Sequence, residues 1–333
     1  MLNARELAFS GQCSSCLKDS HQALLDEIIY RPVFILGHPR SGTTLLYRLL
    51  AMSGCFNQIM VYHLLYFDYL IENHLLNREI AAKEELNLRF AALGLKNRIM
   101  DETPVNSDLP EEYAFLLQLR TGKFKLTPKN LPLFDRLCRI VNFLGDPSKT
   151  ILLKNPWDFT NFLYIHSVFP EAKFIFIHRH PLDILNSQIK ALRTNWDNGN
   201  PYLEIMLPSY ALIRSYPVIK WSLSRLLSPN EPFHLFSRIL TTRLTSIQNE
   251  FRRLIGKLPT DSFISIRYED LCRSAHGTIY QVLDFLGLSP IASMDYRSMI
   301  SVRPRKLDSD LEATQVRLCR KLGCGLDEND YTP

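Results

Sequence analysis

Four short runs of apolar residues recur along the chain, and a segment with helical spacing of apolar positions follows each of them. The predicted strands are Pro32–Leu36, Thr150–Lys154, Ala172–His178 and Ser262–Arg267. The predicted helices are Thr43–Met52, Phe159–Val168, Pro181–Leu192 and His276–Leu286. Continuous apolar strands that alternate with helices are typical of a parallel sheet that is buried on both faces. The pattern predicts an α/β fold with a central parallel sheet whose ligands bind at the carboxyl ends of the strands.

Two long segments depart from this alternation. Residues 55–148 and 193–250 are predicted to be mostly helical, and both are rich in aromatic residues. Residues 1–30 are predicted to form a short helical lead-in. Because the chain contains no internal repeat, low-complexity tract or flexible linker, we expect a single domain over residues 1–333. The two helical segments would then be insertions that cover the sheet edge and form the substrate site.

The most specific stretch is the loop after the first strand, Gly37-His-Pro-Arg-Ser-Gly-Thr-Thr44. Its spacing is that of a phosphate-binding loop, G-x-x-x-x-G-K-[ST], except that Thr43 takes the place of the lysine. A loop that leads into a helix N-terminus still favours a phosphate-like anion. Without the lysine, it is poorly suited to hydrolysing a nucleoside triphosphate. Arg40 supplies a cation from within the loop.

Composition and charge narrow the function classes. The chain has 333 residues and a net charge of +5, which fits an anionic ligand but is too small to favour nucleic acid as a partner. No apolar run approaches the roughly 20 residues that cross a bilayer, and no leader sequence is evident. The seven cysteines predict reduced thiols in the cytoplasm. Cys13 and Cys16 form a single C-x-x-C, which is a weak zinc or redox signal. No H-x-x-x-H or H-E-x-x-H motif occurs, and no metal is expected.

Four blocks together resemble the sulfotransferases that use 3′-phosphoadenosine 5′-phosphosulfate (PAPS). They are Pro39-Arg-Ser-Gly-Thr-Thr44, Leu153-Lys-Asn-Pro156, Phe169–Ser187 and Arg267-Tyr-Glu-Asp-Leu271. The chain is most similar to the bacterial-type branch that itself resembles tyrosylprotein sulfotransferases. The resemblance implies a P-loop-like three-layer fold, PAPS as co-substrate, adenosine 3′,5′-bisphosphate as product, and no metal.

The resemblance also implies which residues hold the donor. The loop residues are expected to cradle the 5′-phosphosulfate, and they are Arg40, Ser41, Gly42, Thr43 and Thr44. Lys154 is expected near the bridging oxygen, where its charge would stabilise the leaving group. Arg179 and Ser187 are expected to hold the 3′-phosphate, and Tyr268 to lie beside the nucleotide. Arg303 and Arg305 either close over the 3′-phosphate or belong to a solvated basic loop.

The catalytic base is where the chain departs from its relatives. In the similar branches a glutamate follows the loop by about twenty residues, and His63 stands at that place here. Histidine suits the task because its unperturbed pKa of ~6.5 lies near neutral pH. Asp158 and the pair Glu111 and Glu112 are alternatives. His63 as a core histidine and Asp158 as a helix cap are the structural interpretations.

The predicted activity is the transfer of a sulfuryl group from PAPS to a hydroxyl or amine. His63 would take the proton, while Lys154 and Arg40 would stabilise the departing phosphate. The predicted acceptor is a small molecule, a lipid or a glycan. The sequence allows a homo-oligomer but does not determine the oligomeric state. The alternatives are a P-loop nucleotide kinase or NTPase, and a catalytically inactive nucleotide-binding protein.

Overall fold

The computed structural model describes residues 22–99, 103–227, 231–291, 294–300, 306–327 and 331–332. Four residues that the sequence singles out lie outside the described residues: Cys13, Cys16, Arg303 and Arg305. Of the predicted lead-in at 1–30, residues 22–26 are helical, and residues 1–21 lie outside the described part.

The strands of the described chain are β1 (Pro32–Leu36), β2 (Phe56–Gln58), β3 (Thr150–Lys154), β4 (Lys173–His178) and β5 (Phe263–Arg267). After the helical residues 22–26, the helices up to Asp197 are α1 (Thr43–Met52), α2 (Val61–Leu65), α3 (Leu70–Leu75), α4 (Glu79–Ala92), α5 (Ala114–Thr121), α6 (Leu131–Leu144), α7 (Phe162–Val168) and α8 (Pro181–Asp197). The others are α9 (Pro201–Met206), α10 (Pro208–Ser215), α11 (Pro217–Leu227), α12 (Glu231–Ile255), α13 (Tyr268–Arg273), α14 (Ala275–Phe285), α15 (Ser309–Glu312) and α16 (Gln315–Leu322). Short 3₁₀ turns occur at Phe67–Tyr69, Pro156–Asp158, Thr260–Ser262 and Tyr296–Met299.

The strands form one central parallel sheet in the order β2-β3-β1-β4-β5. β2 pairs with β3 from Phe56 opposite Thr150, and β4 pairs with β5 through to His178 opposite Arg267. Every residue of β1 is buried, as expected for a parallel strand that is covered on both faces. The predicted α/β class with a central parallel sheet is confirmed.

The four predicted strands are present within one residue of their expected ends, and β2 is the strand that the pattern missed. Its three residues, Phe56–Gln58, include two amides, so they lack the apolar run that predicts a buried strand. Helix α7 begins at Phe162 rather than Phe159. The Asn155 side chain accepts the Trp157 amide (3.0 Å) and holds a separate turn before the helix.

The chain folds as two compact units, and each is described by itself. The first comprises the described residues up to Val33, together with Phe56–Leu153 and Asn200–Ile213. The second comprises Phe34–Cys55, Lys154–Gly199 and the described residues from Arg214 onward. The single-domain organisation stays a prediction, as does the role of the helical segments in covering an acceptor site.

Each unit has its own apolar interior. In the first, the rings of Tyr113 and Phe134 are fully buried, and their centroids lie 4.8 Å apart. In the second, side chains from α8, α12, α15 and α16 form one buried cluster, which contains Leu182, Ile184, Leu185, Ile189, Leu244, Leu311, Leu318, Cys319 and Leu322. Among the described residues, no helix is both long enough and apolar enough to cross a membrane.

Candidate active site

The loop between β1 and α1 makes a tight turn with two residues at positive φ. Gly42 has φ +101° and is the N-cap of α1, where glycine adopts this conformation without strain. Arg40 has φ +78°, which is uncommon for a residue with a side chain and is typical of functional loops. The Ser41 amide donates to the His38 carbonyl (2.9 Å) and closes the turn. The loop is therefore a defined structure that leads directly into the α1 N-terminus.

Close packing at two loop positions explains why they are glycines. A Cβ on Gly42 would lie 2.3 Å from Cδ2 of Tyr268, far closer than real atoms approach. A Cβ on Gly37 would lie 2.6 Å from the Ile177 carbonyl oxygen on β4. The loop thus lies against β4 and against the first residue of α13, with no room for a side chain at either point.

Four of the residues predicted to bind the donor lie together beside this loop. Arg40 Nε donates to Ser187 Oγ (3.0 Å), across 147 positions of sequence. Arg179 Nη1 donates to the Arg40 carbonyl (3.3 Å), and the Arg179 guanidinium carbon lies 4.3 Å from the Tyr268 ring centroid. All four side chains are partly exposed, so a ligand can reach them from solvent.

Lys154 ends β3 beside the first turn of α1. Its side chain is fully buried, and Nζ donates to Thr44 Oγ1 (3.1 Å). The ammonium also lies 5.9 Å from the Tyr47 ring centroid. A buried cation is stabilised by an anion within reach, and the α1 N-terminus favours an anion at the same place. The two features are therefore suited to one negatively charged group.

The side chains of the loop fit an anionic ligand. Ser41 is fully buried, and its hydroxyl has no hydrogen-bond partner among the residues that the structure describes. An unpaired buried hydroxyl is costly, and an oxygen of a phosphate or sulfonate would satisfy it. Burial raises the pKa of Tyr268 to about 12, so its ring stays a neutral phenol at pH 7.

His63 lies in the first unit, where it belongs to the first turn of α2. It is 5% exposed, and the Met60 amide donates to its Nδ1 (3.1 Å). The ring also makes a hydrogen bond with the Gln58 backbone. Burial, assisted by the Lys83 charge, lowers the pKa of His63 to about 4. At pH 7 the imidazole is neutral, and the lone pair on Nδ1 is occupied by the amide that precedes its own helix.

Asp158 and Glu111, two other candidates for the base, are held in hydrogen-bond networks of their own. Asp158 is fully buried and accepts from the side-chain amides of Asn155 and Asn161, each at 2.7 Å. Glu111 is also fully buried. Arg98 Nη1 lies 3.0 Å from its Oε2, and the Glu112 amide donates to its Oε1 (2.9 Å).

The network around Glu111 contains residues that sequence reasoning missed. The Tyr202 hydroxyl donates to Glu111 Oε2, and the Arg98 guanidinium carbon lies 5.4 Å from the Tyr202 ring centroid. Burial and the Glu111 charge raise the pKa of Tyr202 well above its usual value. No local pattern marks Arg98 or Tyr202, because their partner is 13 or 91 positions away. Glu112, which is 9% exposed, completes the set of predicted carboxylates.

Two buried histidines lie close to Arg40 and Arg179 in the chain, and no sequence motif assigns a role to either. His38 lies in the loop, and His178 precedes Arg179 at the end of β4. The Phe159 ring packs against both, with its centroid 4.8 Å from that of His38 and 6.1 Å from that of His178. Burial, with the nearby His178, lowers the pKa of His38 to about 3. Burial, with the charges of two arginines, lowers that of His178 to about 4.

The described part of the chain contains free thiols and no cluster of metal-ligand side chains. There, no group of three or more His, Cys, Asp or Glu side chains is arranged to hold a metal ion. The cysteines in this part are free thiols: Cys55, Cys138, Cys272, Cys319 and Cys324.

The loop, Lys154, Arg40 and Arg179 are suited to an anionic ligand, and the comparisons with known proteins show the family. The model of the sulfotransferase family matches residues 32–210, which is more than half of the chain. The chain therefore belongs to the sulfotransferase family.

Relatives of this family with similar sequences come from mycobacteria. Omega-hydroxy-beta-dihydromenaquinone-9 sulfotransferase Stf3 of Mycobacterium bovis and its Mycobacterium tuberculosis counterpart are each 28% identical over 177 residues. That match covers 47% of this chain and 44% of the relative, so the chain spans less than half of that relative's length.

Two crystal structures share the fold. Sulfotransferase STF9 from Mycobacterium avium has a TM-score of 0.59 at 14% identity, covering 85% of this chain and 70% of that one. Sulfotransferase STF1 from Mycobacterium tuberculosis H37Rv has a TM-score of 0.56 at 17% identity, and the match covers 96% of this chain and 82% of that one.

Proposed function

We propose that this chain is an enzyme that transfers a sulfuryl group from PAPS to a hydroxyl or amine acceptor. The observation that carries the proposal is the meeting of Arg40, Ser187, Arg179 and Tyr268 beside the loop. A nucleotide with anionic groups at both its 5′ and 3′ ends matches this set better than ADP or ATP does. The family match does not favour the alternative of a nucleotide kinase.

The charged and hydrogen-bonding groups around the loop support a donor site with two anion-binding positions. Arg179 and Ser187 would hold the 3′-phosphate, since a guanidinium and a hydroxyl both donate to phosphate oxygens. The 5′-phosphosulfate would be held by the loop residues Arg40, Ser41, Gly42, Thr43 and Thr44. The first-turn amides of α1 have no partner within their helix, so they are available to such an anion. Tyr268 would lie beside the nucleotide.

PAPS supplies an activated sulfuryl group whose bond to the phosphate breaks during transfer. The negative charge that then develops on the phosphate would be stabilised by the buried ammonium of Lys154. Arg40 would contribute from the loop, and the Thr44 hydroxyl orients Lys154 through their hydrogen bond. The chain's share of the rate enhancement is thus positioning and charge stabilisation, as in phosphoryl transfer.

His63 is retained as the predicted base. With a pKa of about 4, its ring is in the proton-accepting form at pH 7. To accept a proton, Nδ1 must exchange the Met60 amide for the acceptor hydroxyl. Asp158 and Glu111 would likewise have to leave the partners described above, and Glu112 is the remaining carboxylate of the predicted set.

The acceptor is proposed only by class. A small molecule, a lipid or a glycan would each offer the hydroxyl or amine that the reaction requires. The name of the mycobacterial relatives refers to a hydroxylated menaquinone, which supports the lipid class for this chain. The cytoplasmic location and the homo-oligomer also stay predictions.

The first experiment is a thermal-shift titration with adenosine 3′,5′-bisphosphate, compared with ADP and with ATP and Mg²⁺. At 100 times its Kd a ligand stabilises by about 2.7 kcal/mol, which raises Tm by several degrees. We expect a shift with the bisphosphate, and its loss in Arg179→Ala. Arg273→Ala, which changes a 63%-exposed arginine, is the control. A shift with Mg-ATP alone would contradict the proposal and favour the kinase.

A second experiment tests the base with two His63 variants, assayed with radiolabelled PAPS and a panel of acceptors. His63→Ala and His63→Gln should both abolish turnover while the bisphosphate shift persists. If His63→Gln retains turnover, then accepting the Met60 amide is the role of His63, and Glu112→Gln becomes the next variant. A wild-type protein that binds the bisphosphate but transfers nothing to any acceptor would favour the inactive nucleotide-binding protein.

A further inference from the structure

Large apolar side chains are exposed around the start of helix α11. Tyr216 is 52% exposed, Val218 75%, Ile219 40% and Trp221 65%. Every residue from 215 to 222 is exposed. We call these four side chains, together with the exposed Lys220 and Arg225, the basic apolar face. Single exposed apolar residues are ordinary, but four within six positions indicate an interaction surface.

The helix that carries this face is held firmly on α8. Trp196 Nε1 donates to the Lys220 carbonyl (3.1 Å), and Arg193 Nε donates to the Leu227 carbonyl (2.7 Å). At the end of the helix, Leu227 is only 5% exposed. The exposure of the basic apolar face is therefore a property of an anchored helix, whose last residue is buried.

Along the chain, the charged residues in and around the face all have the same sign. From residue 205 to residue 230 the sequence contains no Asp or Glu, whereas it contains Arg214, Lys220 and Arg225. The Arg225 guanidinium carbon lies 5.9 Å from the Trp221 ring centroid. Basic residues interspersed with exposed aliphatic side chains and a tryptophan are the composition of helices that lie in a membrane interface.

We propose that the basic apolar face docks this protein on the surface of an anionic lipid bilayer. Val218, Ile219 and Trp221 enter the headgroup region, while Lys220 and Arg225 neutralise anionic headgroups. A second copy of the chain is a poorer partner, because pairing the face with itself would oppose like charges. The proposal goes beyond sulfuryl transfer and does not depend on it.

The test is flotation of the full chain with vesicles, one set of phosphatidylcholine alone and one of phosphatidylcholine with phosphatidylglycerol. We expect binding to the anionic vesicles that weakens as salt increases. The variant Lys220→Gln/Arg225→Gln should bind roughly twenty-five-fold more weakly, since each basic residue contributes roughly five-fold. Val218→Ser/Trp221→Ser should lose at least about ten-fold through the lost apolar burial.

The control is Ile80→Ser/Leu88→Ser on α4, which removes side chains that are 74% and 70% exposed from a helix rich in glutamate. It should bind anionic vesicles like the wild type. Absence of binding, or equal losses in the control and in Val218→Ser/Trp221→Ser, would overturn the proposal. Concentration-dependent self-association of the chain would also overturn the proposal if Val218→Ser/Trp221→Ser abolished it, because the face would then bind a second copy. Every variant should retain the bisphosphate shift, so this proposal and the proposed activity fail separately.

Discussion

Acidification should unfold this protein because three of its histidines are buried in the neutral form. His38, His63 and His178 have pKa values of about 3, 4 and 4 in the folded chain. Burial is the largest cause for all three. In the unfolded chain each returns to about 6.5. Their folded pKa values are depressed, so their contribution to stability is complete above pH 6.5 and is lost as the pH falls toward the folded values.

The magnitude follows from proton linkage. Between pH 7 and pH 5 the unfolded chain takes up about 0.7 of a proton at each of the three histidines, and the folded chain takes up almost none. The free energy of unfolding should therefore fall by about 2 kcal/mol for each histidine, or roughly 6 kcal/mol in total. Because a typical domain is stable by about 5–15 kcal/mol, this loss brings the protein close to its unfolding transition. Two of the three, His38 and His178, lie close to Arg40 and Arg179 in the chain. The proposed donor site should therefore lose its structure when the protein unfolds.

The assay is urea unfolding followed by far-UV circular dichroism at pH 7, 6 and 5. His63→Asn removes one titrating group from both states. The variant should be less stable than the wild type at pH 7, since the Met60 amide loses its imidazole acceptor. Its further loss between pH 7 and pH 5 should be smaller than that of the wild type by about 2 kcal/mol. Leu64→Ala removes a buried side chain of the same helix that does not titrate, so it is the matched control and should lower stability by the same amount at each pH.

The comparison of slopes separates titration from packing, because a lost contact lowers stability equally at both pH values. If His63→Asn and wild type lose the same free energy between pH 7 and pH 5, the buried neutral state of His63 is refuted. A wild-type unfolding free energy that stays constant over this range would refute it for all three histidines.

Three further predictions concern the loop, the strand-end lysine and a buried ion pair. Gly42→Ala should lower Tm and abolish the bisphosphate shift because its Cβ would overlap a tyrosine ring; Gly122→Ala, at φ +70° with nothing within 4 Å, isolates the backbone strain alone. Lys154→Met should keep bisphosphate binding while sulfuryl transfer falls by roughly a hundred-fold or more, and equal turnover would remove Lys154 from the chemistry. Glu111→Gln should cost about 3–5 kcal/mol in urea unfolding by leaving a buried arginine without its counter-charge, whereas Glu85→Gln in a partly exposed pair should cost under about 1 kcal/mol.

The sequence was sufficient for the parts of the molecule that are local in the chain. Strand β1 and helix α1 have the predicted bounds, because an apolar run, a glycine loop and a helical spacing are each complete within a few residues. Strand β2 was missed since its three residues have too little apolar character and depend on pairing with β3. Helix α8 continues to Asp197, five residues beyond its predicted end, because Trp196 is 9% exposed and its indole is bonded to α11.

The sequence by itself determined the loop and its place at a strand end, and it predicted the residues that we propose for an anionic donor. It could do so because a phosphate-binding turn needs particular residue types at adjacent positions. Only the tertiary structure decided which distant residues meet: Ser187 lies against Arg40, and Glu111 is enclosed by Arg98 and Tyr202. It also decided the protonation states, since burial lowers the pKa of His63 to about 4. Burial and long-range partners depend on the packing of the whole chain, which no local pattern of residues encodes.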